Sequence, residues 1–210
     1  MPFFLDNNVL IGYIFETDHW NSKSLAVMNG ITKKFSSNTV FRECSEIYEK
    51  NIRIISRELQ ETIAELHRSK ILDLKKVSSF IDDFYSRDII LMFFNSNPKN
   101  DKRELINGIR NLLRDTESRC LSNFQRIDKL VTFCARNRPY NEIYQLFEAD
   151  GLAKIELFDV EIILDAHHVG LQVHDLFLIT GDYRHLVPRR DMIKNNTSIK
   201  DVIGLGEFNF

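Results

Sequence analysis

The chain opens with a short apolar run, Pro2 to Leu5, that ends on Asp6. This pattern predicts a buried strand with an acid at its carboxyl end. Asn7 or Asn8 is placed to cap the next helix, whose inner face carries Val9, Leu10, Tyr13 and Ile14. A second helix is predicted from about His19 to Lys34, with Trp20, Leu25, Val27, Met28 and Ile31 as its apolar positions. Ser36 to Asn38 is a polar link with room for a short strand. Thr39 then caps a long amphipathic helix through Val40, Phe41, Cys44, Ile47 and Tyr48. From about Asn51 to Asn137 the periodicity is almost wholly helical, carried by Ile55, Leu59, Ile63 and Leu66, by Val77, Phe80, Ile81 and Phe84, and by Leu105, Ile109, Leu112 and Leu113. Asn95 to Asp101, around Asn97-Pro98, is the strongest breaker, and Asn137-Arg138-Pro139 is the next boundary. Ile89 to Phe94 is too apolar for a lone exposed helix, so it is core or an interface.

The pattern alternates again near the end. A helix opens at Glu156 or Asp159 and reaches about Val169, with Gly170 as its carboxyl-terminal cap. Leu176 to Ile179 reads as a strand, followed by Thr180-Gly181-Asp182, and Ser198 to Leu205 reads as a last short strand. Strands separated by helices favour a parallel sheet with helices on both faces. The predicted fold class is therefore α/β, a central parallel sheet with a large all-helical insertion. Residues 1–50 and 145–210 form the sheet domain, and residues 51–144 form a helical insertion packed on it.

Composition narrows the classes. At 43% hydrophobic and 28% charged residues over 210 positions, the chain is globular and long enough to bury a sizeable core. A net charge of −2 excludes a polycation that coats nucleic acid by charge alone, so any basic surface is local. Three cysteines, Cys44, Cys120 and Cys134, with no C-x-x-C spacing, argue against a disulfide framework or a cysteine zinc site. The amino terminus lacks the basic start and the longer apolar run of a signal peptide, and no uncharged stretch there is long enough to cross a bilayer. A cytoplasmic protein with no membrane partner is the expectation.

In an open parallel sheet, ligands bind outside the carboxyl ends of the strands. Asp6 and Asp182 occupy such positions, and Glu43 and Asp159 lie at helix starts that border the same rim. Each alone has a local explanation: a cap for Asp6 or Asp159, the helix dipole for Glu43, a turn for Asp182. Together, four converging carboxylates repel unless a divalent cation neutralises them, and hard cations prefer such oxygens.

The joint placement resembles the PIN-domain nucleases. Phe3-Phe4-Leu5-Asp6-Asn7-Asn8-Val9-Leu10-Ile11 is similar to that family's opening of apolar strand, Asp, one residue, Asn and helix start. Ser37-Asn38-Thr39-Val40-Phe41-Arg42-Glu43 resembles the second motif. Asp159 to Gly170, with Ala166 and Gly170 in register, resembles the third. Leu176 to Asp182, a strand ending in Thr-x-Asp, resembles the fourth, with Tyr183-Arg184-His185-Leu186 in place of the usual turn. The resemblance covers about residues 1–50 and 150–208. Compact members have a much shorter segment between the second and third motifs, so the middle is an elaboration here.

The resemblance implies a PIN-like fold and a metal-dependent endoribonuclease. It makes Asp6, Glu43, Asp159 and Asp182 the catalytic, Mg²⁺- or Mn²⁺-holding acids, with Asn8 and Thr180 orienting carboxylates or waters. Asp165 is the alternative third acid, or a support to it. Arg42, Arg184, Arg189 and Arg190 are candidate RNA contacts. An RNA-processing enzyme and a toxin with an antitoxin partner are both settings the resemblance implies, and the apolar insertion suggests a homodimer. The rival readings are a non-catalytic PIN-like scaffold for protein or RNA, and a flap-type DNA nuclease. His167 and His168 point about 100° apart on one helix and do not share a metal readily. One packed and one exposed histidine is the expectation there. Cys44 lacks a partnering histidine pattern, and Gly204-Leu205-Gly206 lacks the context of a phosphate loop.

Overall fold

A computed structural model of the chain describes residues 1–68, 84–96, 101–148 and 156–208. The molecule is α/β, with five strands and eight α-helices among the described residues. The elements run β1 (Pro2–Leu5), α1 (Asn7–Ile14), α2 (Asn21–Gly30), β2 (Lys33–Ser37), α3 (Asn38–Arg68), α4 (Phe84–Ser96), α5 (Lys102–Leu130), β3 (Thr132–Cys134), α6 (Asn141–Glu148), α7 (Leu157–Gln172), β4 (Phe177–Thr180), a 3₁₀ turn (Val187–Arg189), α8 (Arg190–Asn196) and β5 (Asp201–Gly204).

All the strands are parallel, in the order β3-β2-β1-β4-β5. β1 lies at the centre, where Phe3 pairs with Lys34 and Phe177, and Phe4 with Phe35 and Leu178. Every residue of β1 is buried, so both faces of the sheet are covered at this point, as a parallel sheet requires. The chain moves outward from β1 to β2 and β3 on one side and to β4 and β5 on the other. The order therefore reverses between β1 and β4, and the carboxyl ends of these two strands flank a topological switch point.

The predicted elements differ from the structure in places. α2 stops at Gly30 and Lys33–Ser37 is a strand, where a helix to Lys34 is predicted from sequence. β3 lies inside the stretch read as almost wholly helical and extends the sheet beyond β2. Asp6 itself caps α1, with Oδ1 accepting from Asn7 N–H at 2.6 Å. Ser37 Oγ accepts from Val40 N–H at 3.2 Å and so serves as the cap of α3 expected of Thr39. Gly170 does not end its helix, because α7 runs on to Gln172. A Cβ at Gly170 would lie 2.4 Å from Ser198 Oγ and 3.0 Å from Ser198 O, so close packing explains this glycine.

The chain divides into two compact units, Met1–Glu46 with Phe124–Phe210, and Ile47–Asn123. The helical unit is thus shorter than the predicted insertion of residues 51–144, because β3 and α6 belong with the sheet. Its core contains Ile55, Leu59, Leu66, Ile90 and Ile109, all nearly inaccessible to solvent. Ile89, Ile90 and Phe94 are buried while Leu91 and Met92 are exposed, so the apolar run is mainly core. Asp101 and Glu104 form a reciprocal cap at the start of α5: Asp101 Oδ1 accepts from Glu104 N–H at 2.8 Å and Glu104 Oε2 from Asp101 N–H at 3.0 Å. Asn97-Pro98, Val77, Phe80 and Ile81 lie outside the described residues.

Candidate metal centre

The switch point gathers four acids from four separate parts of the chain. Asp6 follows β1, Asp182 follows β4, Glu43 is in the first turns of α3, and Asp159 is in the first turn of α7. Asp6 is only 2% exposed. Its Oδ2 accepts from Thr180 Oγ1 at 2.5 Å and from Asn8 Nδ2 at 3.1 Å. Thr180 Oγ1 in turn accepts from Asp182 N–H at 2.9 Å, so one hydroxyl ties the two strand-end acids together. Asp182 Oδ1 accepts from the backbone N–H groups of Arg184 at 2.8 Å and His185 at 2.9 Å. A carboxylate has about four lone-pair sites. Fixed donors therefore orient Asp6 and Asp182 while leaving acceptor capacity on each.

The electrostatics reflect this convergence. Burial raises the Asp6 carboxyl above its ordinary value against the hydrogen bonds from Thr180, Asn8 and Asn7, and Asp182 adds repulsion. Burial, then Asp6 and Asp159, pushes Glu43 up to about 7. Asp159 also rises to about 7, through burial and repulsion from Asp182 and Asp6, partly relieved by His185. Each of the four acids thus feels at least one of the others. Asp159 Oδ2 is buried and has no hydrogen-bond donor, although His185 Nδ1 lies 3.0 Å away. The same nitrogen is 3.3 Å from Asp182 Oδ2.

A divalent cation fits these residues. Asp159, Asp182 and His185 each offer a ligand atom, and the three atoms lie within 4.8 Å of one another. The mutual repulsion that helps raise the Glu43 and Asp159 carboxyl groups is what a cation would relieve. His185 was not among the sequence-predicted residues. Its only local signal is its place three residues after Asp182, since Asp159 is distant in sequence.

Other predicted residues fall elsewhere. Asp165 is buried and its Oδ1 meets Arg136 Nε at 3.0 Å; Arg136 also pairs with Glu161. The structure thus brings Asp159 to the other three acids and Asp165 to an arginine. Arg42 and Arg184 are exposed. Arg189 is buried, and its Nη1 donates to His185 O at 2.9 Å, so it supports the loop and is no surface contact. Arg190 is engaged by Glu207, with Nη2 2.7 Å from Oε2 and 2.8 Å from Oε1.

His168 is buried between Tyr140 Oη, 2.7 Å from Nδ1, and Gln172 Nε2, 3.2 Å from Nε2. His167 is half-buried and its Nδ1 accepts from Ser198 N–H at 2.9 Å, so it is tethered where an exposed ring was expected. Burial lowers its pKa from the ordinary histidine value. Burial and the Glu43 charge push the Cys44 thiol up to about 12, which leaves it inert as a nucleophile. Among the described residues, no helix is long and apolar enough to cross a membrane. No family model, curated protein or solved structure matches the chain.

Proposed function

We propose that the protein is a metal-dependent nuclease of the PIN-like type that cleaves RNA internally. One observation carries this reading: Asp6, Glu43, Asp159 and Asp182, distant in sequence, meet at the switch point of a parallel sheet. Burial and repulsion within this set raise Glu43 and Asp159, and such a cluster of carboxylate oxygens suits Mg²⁺ or Mn²⁺. Bound there, either ion supplies charge neutralisation toward a phosphodiester and acidifies water at neutral pH. The chain's own residues do the rest. Thr180 and Asn8 fix the Asp6 carboxylate, and the backbone after Asp182 fixes the second one. The exposed guanidinium groups of Arg42 and Arg184 are available to backbone phosphates. His185 adds a nitrogen donor beside Asp159 and Asp182, which favours Mn²⁺ over Mg²⁺.

The test is cleavage of a mixed RNA pool with Mn²⁺, with Mg²⁺ and with EDTA, alongside a DNA flap substrate and an Asp6→Asn control. Metal-dependent cleavage of RNA that is lost in Asp6→Asn supports the reading. Cleavage of the flap alone transfers the chain to the DNA-nuclease class. Full activity in EDTA or in Asp6→Asn removes the carboxylate mechanism, and no cleavage of either substrate returns the chain to a scaffold role.

A further inference from the structure

Beside the acids lies a set of aromatic rings that carboxylate chemistry does not use. Trp20 and Tyr183 stack with 5.8 Å between ring centroids and 19° between planes. His19 adds a third ring, 4.7 Å from Trp20 and tilted by 45°. Trp20 comes from the connection between α1 and α2, and Tyr183 directly follows Asp182. Tyr183 is 42% exposed, and the His19 side chain is 69% exposed.

These rings are held in place. Gly206 N–H donates to Tyr183 Oη at 2.8 Å. A Cβ at Gly204 would sit 2.4 Å from Tyr183 Oη, and one at Gly181 would sit 2.8 Å from Trp20 Nε1 and 2.9 Å from Asn8 Cβ. Side chains at these positions would push the rings away, so the glycines make room for the stack. An exposed ring fixed before binding loses little entropy when a ligand stacks on it.

The position of the stack decides its occupant. Gly181 separates Thr180 from Asp182, and Asn8 donates to Asp6, so Trp20 abuts the residues that hold the two strand-end acids. Arg184, the residue after Tyr183, is exposed and offers a cation for a backbone phosphate. A fixed aromatic surface with a cation beside it binds a single strand by stacking an unpaired base, whatever its identity. Bases inside a duplex have both faces covered and cannot use it. The geometry points to Trp20 and Tyr183 as the stacking site for an unpaired nucleobase of the RNA strand whose phosphate lies at the acids. This assignment rests on the nuclease reading for its substrate and selects single-stranded RNA within it.

Trp20 is the only tryptophan in the chain, so its fluorescence reports directly on the stack. The experiment titrates the full-length protein, with Ca²⁺ present, with a short unstructured RNA, the same sequence as a duplex, and an abasic strand of equal length. Strand integrity is checked on a gel. The unstructured RNA should quench Trp20 saturably, and the duplex and the abasic strand should not. Tyr183→Leu should weaken binding about 5- to 150-fold, the range for loss of one stacked base. Tyr183→Phe keeps the ring but gives up the Gly206 hydrogen bond, and should retain most of the parent's affinity, which separates stacking from a fold defect. Equal quenching by the abasic strand, or unchanged affinity in a folded Tyr183→Leu, overturns the assignment. Mn²⁺-dependent cleavage with unchanged KM in Tyr183→Leu sinks the stacking site and leaves the nuclease. Base-dependent quenching without cleavage under any metal does the reverse.

Discussion

Glu43→Gln should make the metal-free protein more stable at alkaline pH, although it removes a residue of the proposed centre. Burial and repulsion from Asp6 and Asp159 raise the Glu43 carboxyl from 4.5 to about 7. The folded protein therefore binds that proton more tightly than the unfolded chain does. Stability from this group is present below the unfolded value and is lost as pH rises toward the folded one, so above about pH 7 the ionised carboxylate is a net burden. For a fully buried group the difference would be about 3.4 kcal/mol. Part of Glu43 still faces water, and screening there reduces the effect to roughly 1–2 kcal/mol. Gln keeps the shape and an acceptor for the Asn7 side chain but carries no charge. In EDTA at about pH 8, the unfolding free energy from urea titration should rise by roughly that amount. At about pH 5, where the native Glu43 is protonated, the gain should shrink to a few tenths of a kcal/mol. With saturating Mn²⁺ the order should invert, because the parent protein gains the binding energy that the variant forgoes. A loss of stability at the higher pH in EDTA, or the same gain at both, would refute the repulsive cluster.

Thr180→Val should cost about 2–4 kcal/mol, since it removes a donor to a buried carboxylate and an acceptor for Asp182 N–H; Thr180→Ser should recover most of this in the same urea assay. At limiting Mn²⁺, cleavage should decline as pH falls below about 7, where Glu43 and Asp159 take up protons, and excess Mn²⁺ should move the midpoint downward; a midpoint indifferent to metal concentration contradicts the competition. Gly170→Ala should destabilise by about 1–3 kcal/mol through its clash with Ser198, with cleavage per folded molecule unchanged, as thermal midpoints and rates on the same preparation would show.

Local pattern carried some of these features and not others. The strand before Asp6 was readable because four buried residues in the sheet centre leave no polar interruption. β2 was not, since Lys33 and Lys34 make its first half look like a helix end. Lys34 is nonetheless buried, and its Nζ reaches the carbonyl of Ile31. β3 has only three residues and follows directly on a long helix, too little for a period of two to register. The four acids could be named because each lies where a strand ends or a helix begins. His185 could not, because its relation to Asp159 arises only when α7 and the loop after β4 meet. Arg189 and Arg190 looked like surface charge, and their partners, the His185 carbonyl and Glu207, are invisible to a count of basic residues.

The pairing of β1 with β4 also governs when the centre can exist during synthesis. Asp6 and Thr180, joined by a hydrogen bond, are 174 positions apart. At ribosomal rates of about 5–20 residues per second, Asp6 waits roughly ten to thirty seconds for its partner to be made. For most of that interval β1 can pair with β2 but not with β4, and long-range parallel pairing is slow to form even once both strands are present. The four acids therefore assemble late, and a nascent or prematurely terminated chain that stops before α7 carries Asp6 and Glu43 without Asp159 and Asp182. The proposed centre would therefore stay incomplete until β4 has paired with β1 and α7 has brought in Asp159.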